Sequence, residues 1–168
     1  CTTLAGGVPI AVPAKIENEF RITPAELEQY VTNRTKVLLI GYPNNPTGTI
    51  LTRKEMEDLA DFAVKHDLIV MSDEIYGDLT YGGEKHICFA SLPGMQERTI
   101  LFNGFSKAYA MTGWRIGYAL ANKAIISAMT KIHQYTMLCA PITAQIAAVE
   151  ALRHGEKYMK KMVSEYDK

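Results

Sequence analysis

Lys107 and Arg115 stand eight residues apart in the stretch GFSKAYAMTGWRIGY, residues 104–118, with no other charged residue between them. A lysine among Gly104, Phe105, Ala108 and Ala110 is suited to nucleophilic chemistry, because partial desolvation lets its amine lose a proton and form a Schiff base with an aldehyde. An arginine's planar fork binds a phosphate at two points at once. Two more segments carry groups that suit such a pair: Asn45 in PNNPTG, residues 43–48, and Asp73 with Tyr76 in SDEIY, residues 72–76. A carboxylate such as Asp73 can keep a ring nitrogen protonated, which makes the ring draw electrons from a carbon that must lose a proton. The phenol of Tyr76 and the amide of Asn45 can donate hydrogen bonds to a phenolic oxygen and stabilise its anion. Together the five side chains have one common use, which is to hold a pyridine ring bearing an aldehyde and a phosphate.

Taken singly, each has an ordinary reading. Asn-Asn-Pro-Thr-Gly makes a tight turn. Asp73 and Glu74 can be solvated loop charges, and Tyr76 a packing residue with a wet hydroxyl. Lys107 can lie on the surface, and Arg115 can be half of an exposed ion pair worth little. The case for a site rests on the elements that must gather them.

Three short apolar runs, Val37–Ile40, Leu68–Met71 and Thr99–Phe102, lack the alternation of a one-sided strand and read as strands covered on both faces. Thr23-Pro24-Ala25-Glu26 and Thr52-Arg53-Lys54-Glu55 each fit a capping box, the first with proline at the first helical position. The second helix is expected to run to about His66, with Met56, Leu59, Ala60, Ala63 and Val64 on its buried stripe. Strand, helix and strand in that order imply a right-handed crossover, so residues 37–72 form a βαβ unit with a parallel pair. The run Ile116–Leu120 follows after about a dozen residues rich in glycine and turn formers, too few for a helical crossover, and is expected to lie antiparallel. Asn122 can cap a helix through about Leu138, and Pro141 can open another that ends near Gly155. The expected fold is α/β, a three-layer, mainly parallel mixed sheet with helices on both faces. Ligands of such sheets bind beyond the carboxyl ends of the strands. PNNPTG, SDEIY and the Lys107 segment each follow a strand, and an antiparallel fourth strand brings Arg115 to the same edge.

The 168 residues, 48% of them hydrophobic, suffice for one compact domain. Lysine plus arginine and aspartate plus glutamate both number 18, and no long run of one sign points to a nucleic-acid or membrane partner, so small molecules or proteins are the expected ligands. Cys1, Cys88 and Cys139 are odd in number and lack metal-ligand spacing, as expected of free thiols in a reducing compartment such as the cytoplasm. The sequence begins without methionine or a leader and ends in a charged helical stretch, so both ends read as cut. His66, His86, His133 and His154 are scattered, and helix-surface or capping roles are expected for them rather than metal binding.

In order and spacing, PNNPTG at 43–48, SDEIY at 72–76 and SKAYAMTGWRIGY at 106–118 resemble the class I and II aminotransferases, pyridoxal-phosphate enzymes of the aspartate aminotransferase fold. The resemblance covers nearly the whole chain. It implies that Lys107 carries the Schiff base and shuttles the proton between substrate and cofactor, and that Asp73 partners the pyridine nitrogen. It likewise implies that Asn45 and Tyr76 serve the phenolic oxygen and that Arg115 is a phosphate ligand. Many relatives have a phosphate-binding serine three residues before the lysine, where this chain has Gly104; Ser106 is the candidate that could compensate. An L-amino acid and a 2-oxo acid would be the substrates, in two half-reactions of ping-pong form. A homodimer with the site at its interface is implied, with His133-Gln134-Tyr135 a candidate for meeting the second subunit. Residues 1–155 would then be part of the cofactor-binding large domain and residues 156–168 the start of a helical connection toward a small domain. The phosphate loop, the ring-stacking aromatic and the arginine for the substrate carboxylate would lie outside the chain, which alone is expected to be a poor transaminase. The same cofactor set serves carbon–sulfur lyases, enzymes like aminocyclopropane-carboxylate synthase, and aminotransferase-like sensor domains of transcriptional regulators. MTGWRIGY resembles the transaminase version more than the lyase version.

Overall fold

A computed structural model describes all 168 residues. Four strands, β1 (Val37–Gly41), β2 (Ile69–Asp73), β3 (Thr99–Gly104) and β4 (Gly117–Leu120), form one sheet in the order β1-β2-β3-β4. The first three are parallel, and β4 runs antiparallel to β3. Five helices surround them: α1 (Pro24–Leu27), α2 (Arg53–Lys65), α3 (Lys123–Thr136), α4 (Ile142–His154) and α5 (Glu156–Tyr166). The fold is therefore α/β with a mixed, mainly parallel sheet, as the sequence implied.

The helix starts follow from their caps. Thr23 and Thr52 each accept the amide of the glutamate three residues on, at 3.3 Å in both cases, and each glutamate returns to the threonine amide, at 2.9 and 2.7 Å. Both capping boxes thus satisfy orphan donors at each end of the motif. Asn122 does the same work for α3, accepting from Ile125 at 3.0 Å.

Register decides which side chains meet α2. Leu38, Val70 and Thr99 lie level across the strands, as do Ile40, Ser72 and Leu101. Ile40 and Val70 join Met56, Leu59, Ala60, Phe62 and Ala63 of α2 in a core of 15 buried residues that also takes in Phe89, Leu92 and Met95. The opposite side of β1 is open: Leu39 is 68% exposed and Val37 47%. This corrects the expectation that the strand is covered on both faces, because a continuous apolar run reports hydrophobicity and not which neighbour meets it. A second correction concerns α2, where Val64 faces solvent and Phe62 is buried. Both flank the stripe by about a quarter turn, and the longer phenyl ring reaches the core where valine cannot.

Beyond β3 the packing is thin. Phe105, Met111 and Ala148 form a three-residue cluster, bordered by Tyr109, Ile116, Ala147 and Ala151. Helix α4 contributes Ala144 and Ala148 to the buried set, and α3 contributes none. No helix is long and apolar enough to cross a membrane.

Candidate active site

The site is assembled at the carboxyl ends of β1, β2 and β3. After β1 the buried Tyr42 anchors the chain, its hydroxyl donating to Phe20 O at 3.1 Å and accepting from Ile22 N at 3.3 Å. The next residues fold into a closed turn, with Asn44 N donating to Thr49 O at 2.9 Å and Gly48 N to Asn44 O at 2.8 Å. Gly48 has φ 73°, a left-handed conformation that glycine adopts without steric cost. Asn45 is therefore presented at the exposed apex, and its Nδ2 donates to the Tyr76 hydroxyl at 3.2 Å.

Tyr76 comes from the turn that follows β2. Glu74 N extends the ladder to Phe102 O at 2.9 Å, and Gly77 N then closes back on Glu74 O at 2.8 Å. Asp73, level with Gly41 and Phe102 at the sheet edge, accepts from Ile75 N at 3.2 Å and keeps an exposed carboxylate.

Residues 105–116 connect β3 to β4 and begin and end at this edge. Phe105 and Ala108 are buried on either side of half-buried Ser106 and Lys107, so the lysine's base is fixed by packing. Its Nζ lies 5.4 Å from the Tyr76 ring centroid, within the range of a cation over an aromatic face. Three strand ends thereby deliver Asn45, Tyr76 and Lys107 into a chain of direct neighbours. Arg115 reaches the same edge at the amino end of β4, with φ 51° and Nη1 donating to Thr112 O at 2.7 Å. It borders a cleft of about 480 Å³ between this connection and the start of α4, lined also by Trp114, Pro141 and Ala144. Asp73 and Arg115 share the edge by topology; neither touches Lys107 through a side-chain hydrogen bond or ion pair.

The donor set fits a pyridine ring with aldehyde and phosphate: an amine, a free carboxylate, a phenol paired with an amide, a hydroxyl and a guanidinium along one edge. Position 104 explains one departure from the resemblance. A Cβ there would meet Gly117 Cα at 2.9 Å, Ile116 O at 3.1 Å and Ile75 Cδ1 at 3.2 Å, so any side chain requires the strands to yield.

Glu74 was not legible as a functional candidate. It is 2% exposed, where solvation was expected. Its Oε1 accepts from Ser72 Oγ and from Phe89 N, both at 2.9 Å, and its Oε2 lies 2.6 Å from His86 Nε2. His86 is thus a loop residue holding a buried carboxylate, which corrects its assignment to a helix surface or cap. The available signal was the alternation of Val70, Ser72 and Glu74, which runs along the inward face of β2 and one residue past its end. Burial, followed by the charge of Glu74, pushes the nearby Cys88 thiol above its ordinary value. His66, by contrast, does cap α2 and pairs with Glu28 at 3.0 Å. No group of three or more His, Cys, Asp or Glu side chains is arranged to hold a metal ion.

Known proteins share this sequence pattern and fold. The family described as aminotransferase class I and II matches residues 1–168. The aspartate aminotransferase of Pyrococcus abyssi is 51% identical over 167 residues, covering 98% of this chain and 43% of that protein. The aromatic-amino-acid aminotransferase 2 of Thermococcus litoralis is 48% identical over the same shares. The crystal structure of the aromatic aminotransferase from Pyrococcus horikoshii superposes with a TM-score of 0.95 at 48% identity, over 99% of this chain and 45% of that one. Aspartate aminotransferase from Thermus thermophilus with maleate gives 0.89 at 38% identity, over 98% and 42%. The chain thus spans less than half the length of these relatives. On the whole-chain match, the sequence identities and the shared fold, it belongs to the class I and II aminotransferase family.

Proposed function

We propose that the intact polypeptide is a transaminase that moves the amino group of an L-amino acid to a 2-oxo acid with pyridoxal 5'-phosphate as cofactor. The observation that carries this reading is the meeting of Asn45, Tyr76 and Lys107 at the carboxyl edge, with 3.2 Å between amide and phenol and 5.4 Å between ammonium and ring. When bound, the cofactor supplies an aldehyde for covalent capture of an amine and a ring that accepts electrons from the carbon losing its proton. Lys107 Nζ would provide the covalent attachment and, once freed, would take the proton from the α-carbon of the donor amino acid and, in the second half-reaction, deliver one to the α-carbon derived from the 2-oxo acid. Asp73 holds the proton on the ring nitrogen. Asn45 Nδ2 and Tyr76 Oη orient the ring by donating to its phenolic oxygen. Arg115, with Ser106, binds the phosphate, the guanidinium keeping N–H donors beyond the one that Thr112 O accepts. Residues 1–155 belong to the cofactor-binding domain and 156–168 begin the connection to the remainder, with Gly155 as the break between α4 and α5. The intact protein works as a cytoplasmic homodimer. Aspartate and aromatic amino acids, named for the relatives, are the first donors to try.

The test is Lys107→Ala in the intact polypeptide, assayed with aspartate and 2-oxoglutarate. Wild type is expected to give oxaloacetate, and the variant to lose at least about 10²–10⁴-fold in rate, the scale of a positioned proton carrier. No oxaloacetate from aspartate, with pyruvate, ammonia and a thiol released from a cysteine S-conjugate, would assign the chain to lyase chemistry, and full activity in the variant would end the assignment of Lys107.

A further inference from the structure

Asp73 and Tyr76 stand on a turn that lacks regular structure on its far side: residues 77–88 leave the sheet and return before the short helix at Phe89–Ser91. A turn so placed needs a fixed point if its two side chains are to hold one ring within a fraction of an ångström. The Glu74 carboxylate is that point. It is buried between the two residues, and three groups converge on it: the Ser72 hydroxyl from β2, the Phe89 amide from the returning chain, and the His86 ring. His86 also packs close against the backbone just past Tyr76, since a Cβ on Gly77 would come within 2.8 Å of His86 Cδ2. The ring therefore bears on the turn from one side while the carboxylate ties it from below. Phe89, fully buried, roots the assembly in the main core.

We infer that Glu74 and His86 are positioning residues for the cofactor site, clamping the 73–77 turn so that the Asp73 carboxylate and the Tyr76 hydroxyl keep their places opposite Asn45 and Lys107. A buried carboxylate is costly unless fully hydrogen-bonded, and here each oxygen is matched by donors that come only from the elements being joined. Neither residue touches the reacting atoms; both act through the turn. Apolar residues of similar size would fill the space but would not fix direction, which hydrogen bonds to a planar carboxylate do.

The inference rests on the proposed cofactor reading, and the experiment separates the two. Apo forms of the intact polypeptide, as wild type, Glu74→Gln, His86→Gln and the remote core variant Phe62→Leu, are titrated with pyridoxal 5'-phosphate. Dissociation constants, the pH midpoint of the bound cofactor's absorbance change, and Tm are recorded for each. Glu74→Gln and His86→Gln are expected to weaken cofactor binding about tenfold, the scale on which groups supporting a ligand's own contacts act. They are also expected to move the pH midpoint by about half a unit, because the donors to the ring and its oxygen are displaced. Phe62→Leu is expected to lower Tm and leave both unchanged. Should Glu74→Gln fail to fold, His86→Gln decides alone. Constants and midpoints within twofold and 0.1 unit or so of wild type, or changes matched by Phe62→Leu at equal loss of Tm, overturn the positioning role while the cofactor reading stands. A wild type that binds no cofactor removes both.

Discussion

Around α2, fifteen buried residues make one continuous core from Ile22 to Met95, whereas around α4 only Phe105, Met111 and Ala148 are buried together. The two helices are patterned differently: the apolar residues of α2 gather on one face, whereas those of α4 are spread around it, with Ala144 and Ala148 turned inward. Ile142, Ile146 and Val149 of α4 remain exposed. Tyr135, Leu138 and Leu120, from the end of α3, the turn after it and β4, are exposed as well. The α2 side buries the larger share of its apolar residues, leaving Val37, Leu39 and Val64 exposed, and the α4 side leaves most of its own exposed. The candidate site lies on the seam. Asn45 and Tyr76 come from the α2 side and Lys107 and Arg115 from the α4 side, so the rigidity of the first pair does not guarantee that of the second.

Three substitutions would break or sharpen that contrast. Phe89→Ala, at a fully buried position of the large core, is expected to cost about 3–5 kcal/mol in urea unfolding. A cost near zero would mean the α2 side is no better packed than the other. Tyr42→Phe strips a buried hydroxyl from Ile22 N and Phe20 O and is expected to cost about 1–3 kcal/mol. Burial, the largest influence on it, raises the Tyr42 hydroxyl above its ordinary 10.0, so the folded state favours the protonated phenol. That contribution is complete below pH 10 and is lost as pH climbs through the higher folded value, so the alkaline fall in stability should be shallower in Tyr42→Phe. The smallest effect is the most telling: Ile146→Ala should change the stability of this chain by less than about 0.5 kcal/mol, as at an exposed site. In the intact polypeptide the same change should cost about 2–5 kcal/mol if α4 is covered there.

Much of the frame was legible because it rests on short-range rules. Both capping boxes, the parallel βαβ unit and the antiparallel return of β4 follow from cap chemistry and from connection length, which a sequence states openly. The gathering of Asn45, Tyr76 and Lys107 followed in turn, since each lies within four residues of the end of a strand. Leu39 and Val64 were misjudged for a common reason: apolar character says that a side chain should be covered and leaves open by what. Glu74 and His86 were misjudged because their pairing depends on how residues 77–88 fold back, a long-range outcome with no local mark. Arg115 falls between the two cases, its arrival at the edge set by β4 and its side-chain direction by the carbonyl of Thr112.

At positions 104 and 117 the two strands face each other with hydrogen atoms where side chains would be, a Cβ on either meeting backbone within 3.0 Å. The connection that carries both cationic groups is thus a jaw hinged on two glycines. A single methyl wedged there is expected to force the strands apart and to shift the segment bearing Lys107 relative to Tyr76.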